Sequence, residues 1–391
     1  MRRGFVLALE RAGRLGGAAF CFVAVTLFVV TVGAQQSAPA DAQTPVQGAY
    51  PNSVLKPVPA PGSNWRHPLA GPKAPEIPMT SAPDFLKLPA GMYLGETMGI
   101  ARNSRGQMYV FTRMGNGSRL LQFDQNGTFM REIGRNSYAF EMAHGVYVDA
   151  QDYVWTVDEG TNTVIKWNPN TARPEMIIGR RHESLLGLGP AVEPMPPPHP
   201  YAFNRPNDVV TDAQGNIFVA DGYNNSRAIK YDKNGRFVAS TIGTRGREPG
   251  EMHLPHSITA DRAGNIYVGD RNNGRIQVFS NDLTLRAMYE HVGSPWSVCI
   301  SPGPHQYLYS SNSNPDQNLS DVNAVTGQIF KMELDGTVVG KFGKSGKRLG
   351  ELSTVHDMDC RNENEILVSE IVSWRAQKFI LGAAGSSRRT Q

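Results

Sequence analysis

The chain repeats itself, and that repetition limits its fold more than any other feature. From Met98 onward, six segments share one order: a marker residue, an apolar-alternating strand, a polar turn, a second strand and a third. They start at Met98-Gly99-Ile100, His144-Gly145-Val146, Asn207-Asp208-Val209, His256-Ser257-Ile258, Trp296-Ser297-Val298 and His356-Asp357-Met358. Ser104-Arg105-Gly106 and Arg262-Ala263-Gly264-Asn265 are typical of the first turns. Successive starts lie 40 to 63 residues apart, and the apolar period within each strand is two, which excludes a helical repeat. Short strands bounded by turns at this spacing stack as blades around an axis. The expected fold is therefore an all-β, six-bladed β-propeller. High glycine (40) and proline (27) with only 19% charged residues suit such a turn-rich chain. The last segment stops near Leu381, after its third strand. Asp84–Leu88 is expected to supply the missing fourth strand and close the ring.

Ahead of the repeats the chain changes character. Arg2, Arg3, Arg11 and Arg14 precede an apolar run from Ala18 to Val32, and Val32-Gly33-Ala34 offers a small-residue cleavage site. Residues 1–34 thus read as a signal peptide or signal anchor, placing the rest in a secreted, periplasmic or otherwise extracytoplasmic setting. Membrane contact follows only if the segment stays uncleaved. Residues 35–83, rich in Pro, Ala, Gln and Ser, read as a linker. The propeller is assigned to 84–382, with a tail at 383–391 and a Pro-rich surface insertion at Pro190–Pro200. Removing 1–34 lowers the formal charge from +4 to +1, so no nucleic-acid surface is implied. Cys299 and Cys360 remain, at different phases of the first strands in segments five and six. They are expected to stay unpaired.

The markers carry the chemistry. Histidine occupies the marker position in segments two, four and six, as His144, His256 and His356. Alternate blades of a six-bladed ring are about 120° apart, and first strands border the central channel. Three imidazoles then converge on the axis with an open side, as in a catalytic zinc centre. A lone histidine would more simply bond a backbone group, but three at one phase of alternate repeats favour a metal. The other histidines, including His67, His182, His199, His253, His291 and His305, share no such phase. A second polar column falls fourteen to sixteen residues after each marker: Arg113, Asp158-Glu159, Asp221-Gly222-Tyr223, Asp270-Arg271 and Glu370. The repeated aspartates read as turn caps. Arg113, Arg271 and Tyr223 depart from the repeat and suit an anionic substrate, the arginines through paired N–H donors and the tyrosine as a base.

At these residues the sequence closely resembles the lyase domain of peptidylglycine α-amidating enzymes, the peptidylamidoglycolate lyases, over roughly Leu94 to Leu381. The most specific stretches are Asp221-Gly222-Tyr223-Asn224-Asn225-Ser226-Arg227, Leu254-Pro255-His256-Ser257 and Asp270–Phe279. NHL-type repeats account for part of the likeness. The resemblance implies Zn²⁺ on His144, His256 and His356, Tyr223 as catalytic base, and Arg113 and Arg271 as the active-site arginines. It also implies a structural Ca²⁺ on the axis, held by the Asp357 carboxylate and the carbonyls of Ile100 and Val146. The implied reaction cleaves a peptidyl-α-hydroxyglycine, or a similar α-hydroxy-amide, into an amide and glyoxylate. A separate monooxygenase would then make the substrate. The chain departs from the family at Asn224, which stands at a cysteine position, and at Thr354-Val355, where the family has Met-Pro. Two other classes are compatible with such a propeller: a non-catalytic binding platform, and a metal-dependent hydrolase of small esters or lactones.

Overall fold

The computed structural model describes residues 74–82, 84–181, 199–290, 292–313 and 327–382. The signal segment, residues 35–73 of the linker, most of the Pro190–Pro200 insertion, the 383–391 tail and His67, His182 and His291 lie outside the described residues.

Among the described residues, twenty-four strands, β1 to β24 in chain order, form six separate four-stranded antiparallel sheets. The chain folds as the six-bladed propeller expected from its repeats. The inner strands are β2 (Glu96–Arg102), β6 (Ala143–Val148), β10 (Asp208–Thr211), β14 (Pro255–Ala260), β18 (Pro295–Ile300) and β22 (Val355–Asn362). The second strands are β3 (Met108–Met114), β7 (Val154–Asp158), β11 (Ile217–Asp221), β15 (Ile266–Asp270), β19 (Leu308–Asn312) and β23 (Glu365–Glu370). Among the described residues there is no α-helix, only one 3-10 turn at Arg271–Asn273.

Blade six is closed from the other end of the chain, but not by the segment expected. Its outer strand is β1 (Met79–Ala82), paired with β24 (Arg375–Leu381) from Met79↔Leu381 to Ala82↔Lys378. The expected strand, Asp84–Leu88, turns away. Asp84 has a φ of 50°, and Lys87 bridges instead to Thr128 in blade one. The apolar side chains of Phe85, Leu86 and Leu88 drive this, because they pack on the blade-one core around Val110, Leu121 and Phe123. The propeller thus begins before residue 84.

The core lies between blades. Ala101, three residues after its marker, packs with Val146 and Val148, two and four residues after theirs. Val210 meets Ile258 and Ala260 with the same offsets. Successive blades therefore stack face against back, so residues of opposite phase are the ones that touch. This corrects the reading of the cysteines. Cys299 (offset three) and Cys360 (offset four) are joined by a disulfide with Cα atoms 6.1 Å apart. Their difference in phase is what brings them together.

The marker residues sit on β-bulges. Register slips at Thr97/Gly99, Ala143/Val146, Pro255/Ser257, Pro295/Val298 and Val355/Asp357, while β10 begins just after Asn207. A bulge frees a residue from the ladder and re-aims its side chain. Met98, His144, His256, Trp296 and His356 are thereby released from the sheet alternation toward the axis.

Candidate metal and active centre

His144, His256 and His356 meet on the axis as an almost regular triangle. Their ring centroids lie 4.7, 4.6 and 4.8 Å apart, and one ring nitrogen from each falls within 4.8 Å of the others. Each ring is fixed by the next blade's marker. Nδ1 of His144 donates to the Asn207 carbonyl (2.7 Å), that of His256 to Trp296 (2.6 Å) and that of His356 to Met98 (2.6 Å). A carbonyl can only accept, so each Nδ1 carries the proton and each Nε2 presents a lone pair. Nε2 of His256 and of His356 is buried without a hydrogen-bond partner. Burial, reinforced by neighbouring imidazoles and by Arg113 and Arg271, holds the rings below the ordinary histidine range, His356 down to about 3. Neutral imidazoles with orphaned, convergent lone pairs fit a divalent metal. The three remaining markers wall the centre. Met98 is buried, Asn207 directs Nδ2 to within 3.2 Å of His144 Nε2, and the Trp296 ring packs 5.0 Å from that of His256.

The second column reaches the same face by a repeated backbone bond. In blades two to six the carbonyl two residues before the marker accepts an N–H from the first or second residue after strand two. Glu159 donates to Met142 (2.9 Å), Tyr223 to Arg205 (3.4 Å) and Arg271 to Leu254 (3.2 Å). Between them the aspartates cap turns, as their repetition suggested. Asp158 accepts from Glu141, Met142, Gly160 and Thr161 N–H groups, and Asp270 from His253. Gly222 is obligatory beside Tyr223, since a Cβ there would lie 1.9 Å from the Pro255 carbonyl oxygen and 2.2 Å from Asn207 Oδ1.

The Tyr223 hydroxyl stands 3.4 Å from His144 Nε2. Burial pushes its phenol upward against the pull of Arg271, Arg113 and Arg205. Burial outweighs the arginines at this hydroxyl. Arg271 lies with Cζ 4.1 Å over the Trp296 ring and 5.9 Å from the Tyr223 centroid. Arg113 is engaged by protein on every nitrogen: Nε with the Ala143 carbonyl (2.9 Å), Nη1 with Glu96 (3.1 Å) and Nη2 with Glu159 (2.5 Å). Beside it a cleft of about 860 Å³ opens between Met92-Tyr93-Leu94, Met114 and Trp374. The departure at Asn224 also has a structural meaning. Its Nδ2 donates to Asn204 Oδ1 (2.8 Å), linking the turn after strand two to the segment before the marker of the same blade.

Further down the channel, Asp357 and Ile100 and Val146 line a cavity of about 390 Å³. Asp208, which the sequence reading passed over, lines it too. Asp357 accepts from Ile100 N–H (3.2 Å), Met358 N–H (2.8 Å) and Ser297 Oγ (3.2 Å). Asp208 accepts from Val209 N–H, Ile258 N–H and Ser257 Oγ. Burial pushes both carboxyls up, Asp208 to about 6, and the charge on Asp208 raises Asp357 further. Two such oxygens on one axis fit a hard cation. The signal was present in the sequence, since both aspartates directly follow the markers of blades three and six, half a turn apart.

Fold and site define an NHL-type propeller with a three-histidine centre on its axis. The NHL repeat model matches residues 203–227 and 252–279. Among curated proteins the chain is 30% identical over 293 residues to the Caenorhabditis elegans protein named "Probable peptidyl-alpha-hydroxyglycine alpha-amidating lyase pgal-1", covering 68% of this chain and 78% of that one. It is 29% identical over 290 residues to Xenopus laevis peptidyl-glycine alpha-amidating monooxygenase B, covering 71% of this chain but 31% of that longer protein. Among solved structures, a gluconolactonase from Xanthomonas campestris superposes with a TM-score of 0.50 at 14% identity, over 74% of this chain and 87% of that one, a likeness of fold alone. The chain belongs to the peptidyl-α-hydroxyglycine α-amidating lyase family.

Proposed function

We propose that this protein is a zinc-dependent lyase that cleaves peptidyl-α-hydroxyglycine, or a similar α-hydroxy-amide, into an amide and glyoxylate. The observation that carries this reading is the trio of convergent, proton-free Nε2 atoms beside a buried tyrosine and arginines. His144, His256 and His356 would hold the zinc, which supplies Lewis acidity toward the substrate's hydroxyl oxygen. Tyr223, 3.4 Å from His144 Nε2, would take the hydroxyl proton as its phenolate, the form that a cation held by the histidines would favour. As the C–O bond becomes the aldehyde carbonyl of glyoxylate, the C–N bond breaks and its electron pair stays on the amide nitrogen, which then gains a proton. Arg271, aided by the positive field of Arg113, steadies the carboxylate of the departing glyoxylate. The cleft beside Arg113 offers room for the acyl part of the substrate.

The Asp357 carboxylate, with Asp208 and the Ile100 and Val146 backbone, would hold a structural calcium. An extracytoplasmic location is supported by the Cys299–Cys360 disulfide, which persists in oxidising compartments. A separate monooxygenase is the class of enzyme that would supply the hydroxylated substrate.

The test is metal content together with product release. Residues 35–391 are purified, their metals measured, and an N-acyl-α-hydroxyglycine supplied. About one zinc per chain and glyoxylate release, both lost in His256→Ala, are expected. Zinc without glyoxylate would discard the substrate. Hydrolysis of small esters without glyoxylate would point to the hydrolase class, and no bound metal would leave a binding platform.

A further inference from the structure

Arg205 was not singled out by any repeat pattern, yet it occupies the centre's edge under unusual constraint. It is a non-glycine residue with a φ of 60°, in the left-handed region that costs of order 1 kcal/mol or more. Its N–H donates to Asn162 Oδ1 (2.6 Å) and its carbonyl receives the Tyr223 N–H. Leu254, at the same offset in blade four, shares this backbone with a φ of 65°, so the conformation does not depend on an arginine side chain.

That side chain is held by Glu159. One edge of the guanidinium, Nε (3.1 Å) and Nη2 (2.8 Å), grips Glu159 Oε2, while Oε1 of the same carboxylate takes Arg113 Nη2. The Glu159 side chain is 1% exposed, so a buried carboxylate is shared between two cations. Burial raises its carboxyl, and both arginines oppose that rise. Arg205 Cζ lies 4.4 Å over the Tyr223 ring. Its other edge differs from that of Arg113. Nη1 makes no hydrogen bond to the described protein, and the side chain is 43% exposed. Arg113, by contrast, is spent on Ala143, Glu96 and Glu159.

We propose that Arg205 is a specificity-determining residue that receives the substrate carboxylate on its free edge together with Arg271, while Glu159 orients it and Arg113 serves as a positioning residue. The ligand class is a small α-hydroxy or α-oxo carboxylate, the acid end of the substrate and its glyoxylate product. The inference rests on the lyase reading above. A free guanidinium edge beside the reacting tyrosine is the geometry that binds a carboxylate through two N–H donors.

The experiment compares two substrates on the full chain: an N-acyl-α-hydroxyglycine and its neutral carboxamide, both followed by release of the same acyl amide. Arg205→Ala should lower kcat/KM for the acid by roughly 10- to 100-fold, through KM, as loss of a charge-assisted bond predicts, and leave the neutral substrate within about twofold. Arg205→Lys, which keeps the charge and loses the paired donors, should fall between. Equal losses on both substrates, or none on either, would overturn the assignment. The same variants are melted with glyoxylate or neutral glyoxylamide. Stabilisation by glyoxylate alone, lost in Arg205→Ala, supports the carboxylate role even if wild type turns over neither substrate, an outcome that would remove the lyase reading instead. Glyoxylate stabilisation retained in Arg205→Ala overturns the role. If Arg205→Ala does not fold, Arg205→Lys carries both comparisons.

Discussion

With divalent cations stripped, this protein should show a stability contribution that falls as pH rises, opposite in sign to that of its three buried histidines, which favours the folded state more as pH climbs toward the ordinary histidine range. The cause is the axial carboxylate pair. The Asp208 carboxyl is pushed up from 3.8 to about 6, and Asp357, facing it, is raised further by Asp208 itself. A carboxyl raised in the folded state binds protons more tightly there than in the unfolded chain. Its contribution is full below the unfolded value near 4 and is lost as pH climbs through the folded value near 6. At about 1.4 kcal/mol per unit, Asp208 alone accounts for a loss of ~3 kcal/mol. A bound cation opposes this, and at a hundredfold excess over its Kd it contributes about 2.7 kcal/mol. Calorimetric melts of the chelated wild type and of Asp357→Asn between about pH 4 and pH 8, with and without calcium, isolate the pair, because the histidine contribution is common to both proteins. Asp357→Asn separates the pair from the many exposed carboxylates. It keeps acceptors for Met358 N–H and Ser297 Oγ while removing one charge. The variant should be steadier than wild type at high pH without calcium, and less responsive when calcium is added. Destabilisation of Asp357→Asn at high pH in chelator, with an unchanged calcium response, would refute the reasoning and leave Asp357 as a plain hydrogen-bond acceptor.

Other outcomes follow from single contacts. Tyr223→Phe should keep the metal and the fold while lowering kcat by about 10²- to 10⁴-fold, the worth of a positioned base, read by glyoxylate release. Cys299→Ser with Cys360→Ser frees a loop spanning 61 residues, so unfolding in urea should shift by up to about 4 kcal/mol, with free thiols appearing in wild type only after reduction. Gly222→Ala forces a Cβ to within 1.9 Å of the Pro255 carbonyl and should cost ~2–3 kcal/mol in a denaturant melt while moving the strand that carries His256.

The blade count and the histidine trio were legible because every blade repeats one phase, so His144, His256 and His356 stand out as substitutions in a column. Asp208 was equally legible beside Asp357 but becomes noticeable only once blades three and six are seen as opposite. The disulfide was misread because parity was counted within a strand, whereas contacts between blades join opposite parities. The closing strand was misplaced because Asp84–Leu88 and Met79–Ala82 are both short, and Asp84–Leu88 is the richer of the two in apolar side chains. Which one pairs with β24 depends on packing against blade one that pattern alone does not contain. Arg205 left no trace in the pattern. It sits two residues before a marker, where only a backbone carbonyl is required, and its partner Glu159 belongs to another blade.

Closure by β1 has a topological consequence. Met79 pairs with Leu381, and the Gly382 N–H donates to the Pro78 carbonyl, so the chain enters and leaves the ring at neighbouring points. From His356 the chain runs away from the marker face along β22, back along β23 and away again along β24, which puts both points on the side remote from the histidines. A tether or fusion partner joined at either point would hang behind the disc and leave the mouth unobstructed. A short splice across them, with new ends cut in an outer turn, would give a circular permutant that keeps the whole centre.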